Sequence, residues 1–309
     1  MNTTSVKTVL LTGGTGFLGS QLASELLHNN YQVIILKRSF SNTQRIQSIL
    51  PQVSLYDIDK IQLEQPFQDF PKIDAVIHTA TCHGLNQEHL SEVLSANTWF
   101  PLRLLEIAAD YQTSYFINTD TFYNKANYSS QHRNGYTLSK KQFFSWGKLA
   151  SQAEKIKFIN LRIEHLFGAG DSEKKFVTFL FRSLIQNKPH LPLTQGEQKR
   201  DFIHVKDAIS AYLTILQNSD KLDQWYHEYD VGRGEAVTLR SLIETIHQLS
   251  HSQTVLEFGA IPYRQGDIMY SQGDITALKQ LGWQPQPDLA TRIQETIIAE
   301  KQFLSVSKQ

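Results

Sequence analysis

The stretch Val9-Leu10-Leu11-Thr12-Gly13-Gly14-Thr15-Gly16-Phe17-Leu18-Gly19 limits the folds open to this chain more than any other. A short apolar run, which reads as a strand buried on both faces, meets glycines at 13, 16 and 19. The spacing of Leu18, Leu22, Ala23, Leu26 and Leu27 then sets a helix. Glycine tolerates positive φ and has no Cβ, so backbone N–H groups at the helix N-terminus can face an anion at close range. Strand, glycine turn and helix in this order are suited to the diphosphate of a dinucleotide, the alternative being a turn that binds nothing. Gly13, Gly16, Phe17, Leu18 and Gly19 are the first candidate cofactor residues.

The remaining chain repeats the pattern. Apolar runs at 32–36, 53–57, 73–80, 115–118 and 158–162 read as strands; 39–52 is polar and lacks strong periodicity, and a long helix over 89–110, which Pro101 should kink, lies between the runs at 73–80 and 115–118. Such alternation predicts an α/β fold with a doubly wound parallel (Rossmann) sheet. Beyond residue 165 the order loosens, with helices at 176–186, 207–218, 241–250, 274–281 and 288–303 and strands at 200–205 and 225–231. This predicts a smaller, interleaved C-terminal substrate domain: 1–165 plus about 206–235 for the dinucleotide, and about 166–205 plus 236–309 for the substrate. A length of 309 residues accommodates both.

Charge and cysteine content exclude several functions. Thirty basic residues balance thirty acidic ones, so net charge supports neither a nucleic-acid surface nor electrostatic membrane docking. Cys82 is the single cysteine, which rules out an intrachain disulfide and fits a reducing, cytoplasmic setting. No signal peptide or membrane span is expected. The histidines show no ligand spacing, so no metal site is expected either.

Two places carry chemistry. The second strand ends in Lys37-Arg38, where an acidic side chain would accept from a ribose 2′-OH and a basic one would pair with a 2′-phosphate, so NADP(H) is preferred to NAD(H). Asp57, ending the third strand, either touches the adenine amine or caps the next segment of chain. Further on, Thr119, Asp120 and Thr121 end the fifth strand, and Tyr136 and Lys140 are spaced four apart on a helix, hence on one face. A cation beside a phenol stabilises phenolate, which lets tyrosine exchange protons with a carbonyl or alcohol.

In these motifs the chain resembles the extended short-chain dehydrogenase/reductase family of nucleotide-sugar epimerases, dehydratases and reductases. The likeness continues through Val76-Ile77-His78-Thr79-Ala80, Asn97, Leu161-Arg162, Phe167-Gly168-Ala169-Gly170-Asp171, Arg200-Asp201-Phe202-Ile203-His204-Val205, Asp230-Val231-Gly232-Arg233-Gly234-Glu235 and Arg264-Gln265-Gly266-Asp267. It implies a catalytic set of Thr119, Tyr136 and Lys140, with Ile58, Thr79, Ala80, Thr81 and Asn97 also at the cofactor. It implies substrate contacts from Asp120, Thr121, His165, Arg200 and Arg264, the arginines at a nucleotide diphosphate. The helices at 89–110 and 136–150 are where relatives dimerise, so a homodimer is expected.

Departures from relatives narrow the reaction. Thr121 stands where a dehydratase has a glutamate base, and Phe176 where the 3,5-epimerase-reductases have a histidine. His165 and Lys37 replace an asparagine and an acidic residue of UDP-galactose 4-epimerases. The resemblance is greatest to members that reduce a CDP-linked dideoxy 4-ketohexose with NADPH. A C4 epimerase with tightly held cofactor and a non-catalytic redox sensor stay open, although a sensor needs no Thr119, Tyr136 and Lys140 set.

Overall fold

The computed structural model describes residues 6–125 and 134–306; the polar start of the chain and most of the loop expected ahead of Tyr136 lie outside them. The chain divides into two compact units. The first comprises Met1–Ile163, Ile209–Asp230 and Gln280–Trp283, and the second Glu164–Ala208, Val231–Lys279 and Gln284–Gln309.

In chain order the first unit opens with β1 (Thr8–Thr12), α1 (Phe17–His28), β2 (Gln32–Lys37), β3 (Ser54–Asp57), α2 (Gln65–Asp69) and β4 (Ala75–His78). It continues with α3 (Leu90–Leu94), α4 (Phe100–Asp110), β5 (Tyr115–Thr121), α5 (Gly135–Ser151) and β6 (Lys157–Ile163). The chain then passes through β7 (His165–Phe167), α6 (Phe176–Ile185), β8 (His190–Leu193), β9 (Lys199–Arg200) and β10 (Phe202–His204) before α7 (Val205–Gln217) and β11 (Tyr226–Val231). It ends in β12 (Val237–Thr238), α8 (Leu239–Ser250), β13 (Val255–Phe258), α9 (Thr276–Gln280) and α10 (Leu289–Val306). No helix among the described residues is long and apolar enough to cross a membrane.

The first unit is built on a seven-stranded parallel sheet in the order β11-β6-β5-β4-β1-β2-β3. The strand order reverses between β1 and β4, where Thr12 lies opposite His78, and open α/β sheets bind ligands at the carboxyl ends beside such a reversal. Register explains the core. Ile34, Leu10, Val76, Phe116 and Phe158 are successive partners across five strands, so one apolar row crosses the sheet. Leu104, Leu105 and Ala108 of α4 and Phe143 of α5 join the same cluster. Burying each large side chain is worth about 1.5–3 kcal/mol, so this row alone ties most of the sheet to two helices.

Three local differences from the sequence reading have physical causes. The helix over 89–110 is interrupted by a π turn, Ser95–Trp99, in which Phe100 N–H donates to the Ser95 carbonyl. The break precedes the proline because the N–H that Pro101 lacks would have bonded residue 97, one turn earlier. Residues expected to be irregular form a 3-10 helix, Gln44–Gln52, that buries Ile46 and Ile49. The single strand expected over 200–205 is split: β9 pairs with β12 and β10 with β7, while buried Asp201 between them turns its carboxylate to other backbone N–H groups.

The second unit consists of these short sheets, a β8–β13 pair and helices α6, α8 and α10. Leu180, Phe181 and Leu184 pack with Leu191 and Leu193, with Leu242, Ile243 and Ile246, and with Ile293 and Ile297 in a core of its own. β8 and β13 escape the sequence reading because they are four residues each, too short for periodicity to register, and β13 buries none of its residues fully.

Helix α5 lies close to β6 because Gly147 has no side chain: a Cβ there would overlap the Phe158 ring. Gly147→Ala is therefore expected to cost about 1–3 kcal/mol by overpacking, read as a lower urea midpoint at unchanged slope.

Candidate active site

Both ends of the glycine turn are closed by backbone contact. Gly13 has φ of +70°, and a Cβ on it would come within 2.6 Å of the Ala80 nitrogen and 2.7 Å of Thr79 Oγ1. A Cβ on Gly19 would overlap the Gly13 carbonyl. The Gly16 N–H donates to the Gly13 oxygen at 2.9 Å, and α1 begins at Phe17 with no side chain capping its first turn. Phe17, Leu18 and Gly19 thus form the first turn of α1, and a helix N-terminus is the kind of site an anion takes. Thr79 Oγ1 donates to the Thr12 carbonyl at 2.8 Å, and Ala80 N–H to Thr12 Oγ1 at 3.3 Å, which stitches β4 to the end of β1. Thr81, next in the chain, is half-buried.

Buried Asn97, on the π turn, clamps the residue after it: it accepts from Cys82 N–H and donates to the Cys82 carbonyl, each at 2.8 Å. The same amide donates to Ser139 Oγ of α5 at 3.0 Å. Asn97, expected at the cofactor, therefore joins the strand-end segment to the helix carrying Tyr136 and Lys140.

At the end of β2 both basic residues have acidic neighbours. Lys37 Nζ lies 3.3 Å from Asp57 Oδ2, which also accepts from Ser39 Oγ at 2.8 Å. Asp57, considered for the adenine amine, is thus engaged by Lys37 and Ser39. Arg38 is more than half exposed, 4.0 Å from Asp59 and stacked over Phe40 at 5.1 Å. Ile58 N–H donates to the Lys37 carbonyl and continues the β2–β3 pairing.

At the end of β5, Thr119 and Thr121 share one face and Asp120 the other, as strand alternation requires. The Tyr136 phenol is hydrogen-bonded by the Thr121 hydroxyl, and burial pushes its pKa upward. Thr119 Oγ1 meets a different tyrosine, the Tyr212 hydroxyl of α7, at 2.6 Å. Lys140 is buried and its Nζ has no hydrogen-bond partner among the described residues; burial brings its pKa down to about 8, against which Asp120 acts. Asp120, expected on the substrate side, is buried within the protein: Oδ1 accepts from Thr121 N–H at 2.8 Å and Asn124 at 2.7 Å, and Oδ2 from Asn160 at 3.0 Å. Its oxygens are occupied by protein donors, which leaves it to position its neighbours.

In the second unit, His165 N–H donates to the Asp201 carbonyl and its ring lies 5.6 Å from that of Phe202. Arg200 is buried, with Nη2 on Asp267 at 3.0 Å and Nη1 on the Lys199 carbonyl at 3.1 Å. Arg264 is exposed; its main-chain carbonyl accepts from Asp267 N–H, while the Asp267 carboxylate meets the Arg200 side chain. Asp201 accepts from the N–H groups of Arg233, Gly234 and Gly273, which is why two separate motifs of the sequence meet here; burial raises its pKa to about 6.

Residues not singled out from sequence also face this chemistry. The exposed His83 ring lies 4.9 Å from that of Tyr136, and Tyr212 and Asn160 hold Thr119 and Asp120. Nothing in the sequence around Tyr212 singles it out; only its burial in the fold shows a hydroxyl that needs a partner. The residues fit a nicotinamide dinucleotide. Glycines 13 and 19 let the turn close tightly on its own backbone ahead of the α1 N-terminus, where an anion can be taken, and the buried ammonium of Lys140 has donors to spare.

Residues 9–232 match the NAD dependent epimerase/dehydratase family. The chain is similar to CDP-abequose synthase of Salmonella typhimurium, at 34% identity over 94% of this chain and 97% of the relative. It is 24% identical to a putative UDP-glucose 4-epimerase of Methanocaldococcus jannaschii over 94% and 97% of the two chains. Among solved structures, a UDP-glucose 4-epimerase from Thermotoga maritima with UDP-glucose has the same fold, with a TM-score of 0.82 at 20% identity over 96% of this chain and 99% of that one.

Lys140 gives a test with a definite sign. Its pKa of about 8 lies below the ordinary 10.5, so between those values the unfolded chain holds a proton that the folded one releases. Its contribution to stability therefore rises with pH across that window and is a constant penalty below it. Lys140→Met is expected to raise stability at pH 7 by about 1–3 kcal/mol, with the gain shrinking towards pH 10 in urea titrations.

Proposed function

The chain belongs to the NAD dependent epimerase/dehydratase family, and from that premise we propose that it reduces the C4 keto group of a nucleotide-linked deoxy-4-ketohexose, with a CDP-linked sugar as substrate and NADPH as reductant. What carries the reading is a Tyr136 hydroxyl bonded to Thr121 near a buried, unbonded Lys140, in a chain 34% identical to a CDP-abequose synthase. When bound, the nicotinamide supplies a hydride. Tyr136 gives its proton to the oxygen that becomes the alcohol, and the Lys140 cation stabilises the phenolate left behind. Thr119 donates to the same oxygen, and Thr121 holds the Tyr136 hydroxyl in place. Arg200 and Arg264 bind the diphosphate through their guanidinium donors, and His165 contacts the substrate. With threonine at 121, no carboxylate is available there to remove a C5 proton, which supports reduction over dehydration.

The preference for NADP(H) over NAD(H) rests on the end of β2. Lys37 is committed to Asp57, whereas exposed Arg38 keeps the reach to pair with a 2′-phosphate. NAD(H) is the alternative. Gly13, Gly16, Phe17, Leu18, Gly19, Thr79, Ala80 and Thr81 hold the rest of the dinucleotide. A cytoplasmic homodimer completes the reading: Leu90, Leu94 and Trp99 on α3 and the π turn, and Leu138, Trp146 and Leu149 on α5, are exposed apolar side chains of two contacting helices. The second reading is a C4 epimerase with retained cofactor, favoured by the solved epimerase of the same fold.

CDP-, dTDP-, GDP- and UDP-linked 4-ketohexoses followed at the NADPH absorbance test the reading. Stoichiometric oxidation with the CDP sugar is expected; interconversion without net oxidation would establish the epimerase instead. Tyr136→Phe should keep NADPH affinity and lose about 10²–10⁴-fold in kcat, and unchanged turnover would remove Tyr136 from the mechanism. Light scattering that finds a 35.4 kDa species alone at micromolar concentration would refute the dimer.

A further inference from the structure

Two threonines on one face of β5 each meet a tyrosine hydroxyl. The partner of Thr121 is Tyr136, which the proposed reaction uses; the partner of Thr119 is Tyr212, at 2.6 Å, which it does not. Tyr212 has no exposed surface, and on α7 its buried neighbours in sequence, Ala211, Leu213, Ile215 and Leu216, are aliphatic. Packing alone would be served by phenylalanine, because a buried phenol that lacks a partner costs about 1–3 kcal/mol. Thr119, by contrast, is half-buried and retains an open side.

We propose that Tyr212 is a positioning residue for the reaction: its O–H donates to Thr119 Oγ1 and so turns the single proton of Thr119 towards the substrate oxygen. A hydroxyl carries one proton and two lone pairs. If Thr119 donated to Tyr212, it would have no proton left for a sugar oxygen. With Tyr212 as donor, the two O–H bonds point in one direction, from α7 through Thr119 to the oxygen that gains negative charge, and each bond polarises the next. Tyr212 transfers no proton; that comes from Tyr136. Burial pushes the Tyr212 phenol above its ordinary range, which keeps it a donor at working pH.

The proposal rests on reading Thr119 as the hydroxyl that meets the sugar oxygen, and a double-mutant cycle separates the two. Tyr212→Phe, Thr119→Val and the pair are compared in reduction of the CDP-linked dideoxy 4-ketohexose. Rates are expressed per NADPH-binding site, so that loss of folded protein does not enter. Thr119→Val is expected to lower kcat about 30–100-fold, and Tyr212→Phe about 5–30-fold with KM within about twofold. The double variant should be no slower than Thr119→Val, since Tyr212 acts only through that hydroxyl. A slow Thr119→Val with Tyr212→Phe at the wild-type rate overturns the role of Tyr212, as does an equal further loss when Tyr212→Phe is added to Thr119→Val. An unaffected Thr119→Val overturns the reading of Thr119 and the proposal with it.

Discussion

Lys140 places an ammonium where almost no water reaches it, and the end of the parallel sheet is organised to tolerate that charge. A lone buried cation costs several kcal/mol, and Asp120, buried with it, supplies the opposite charge. Asp120 is itself held by donors from three residues, and through Asn160 it reaches a wider array. Asn160 donates to Glu228 at 3.3 Å; Arg162 bridges Glu228 and Asp230, at 2.7 Å each; Lys125 closes on Asp230 at 3.1 Å. These groups lie on β5, β6 and β11 and on the segment that follows β5. Among Glu228, Arg162, Asp230 and Lys125, loss of one member leaves another charge unpaired, so the penalty for breaking that set exceeds what any pair contributes. The alternation of β5 separates this array, on the face of Asp120, from the face of Thr119 and Thr121, where a carbonyl can be reached.

Much of the first unit is legible in sequence because its signals are local. β1, the glycine turn and α1 follow from apolar runs and from three glycines whose missing Cβ atoms the structure accounts for one by one. The five strands of the apolar row read as continuous hydrophobic runs, as strands covered on both faces do. What escaped was non-local. Tyr and Lys four apart announce themselves, but a hydrogen bond between Thr119 and Tyr212 joins residues 93 positions apart, and no pattern in either segment signals it. From sequence Asp120 stands between a substrate role and a hydrogen bond to a loop, with the substrate side preferred; only the fold shows Asn124 and Asn160 saturating it. Lys37 reads as a cation awaiting a phosphate until β3 brings Asp57 beside it. In the second unit the strands are too short for periodicity to register, and Asp201 takes its N–H donors from two distant segments, at 233–234 and at 273.

The pairing of hydroxyls on β5 bears on why a reductase is preferred on physical grounds. Tyrosine and lysine serve proton transfer in either direction, so they cannot distinguish a net reduction from an epimerisation that oxidises and then reduces. Thr121 holds the Tyr136 hydroxyl, and the Tyr212–Thr119 pair lies two residues away on the same strand face. Hydrogen bonds aimed at a developing alkoxide strengthen as charge forms, and they are strongest where the donors are held rigidly by buried partners. Tyr212 is such a partner and has no exposed surface through which water could take its place. That arrangement fits the proposed reduction, in which an oxygen arrives as a carbonyl and leaves as an alcohol from one position. An epimerase must release the same oxygen midway so that the sugar can turn its other face, and every additional fixed donor makes that release slower.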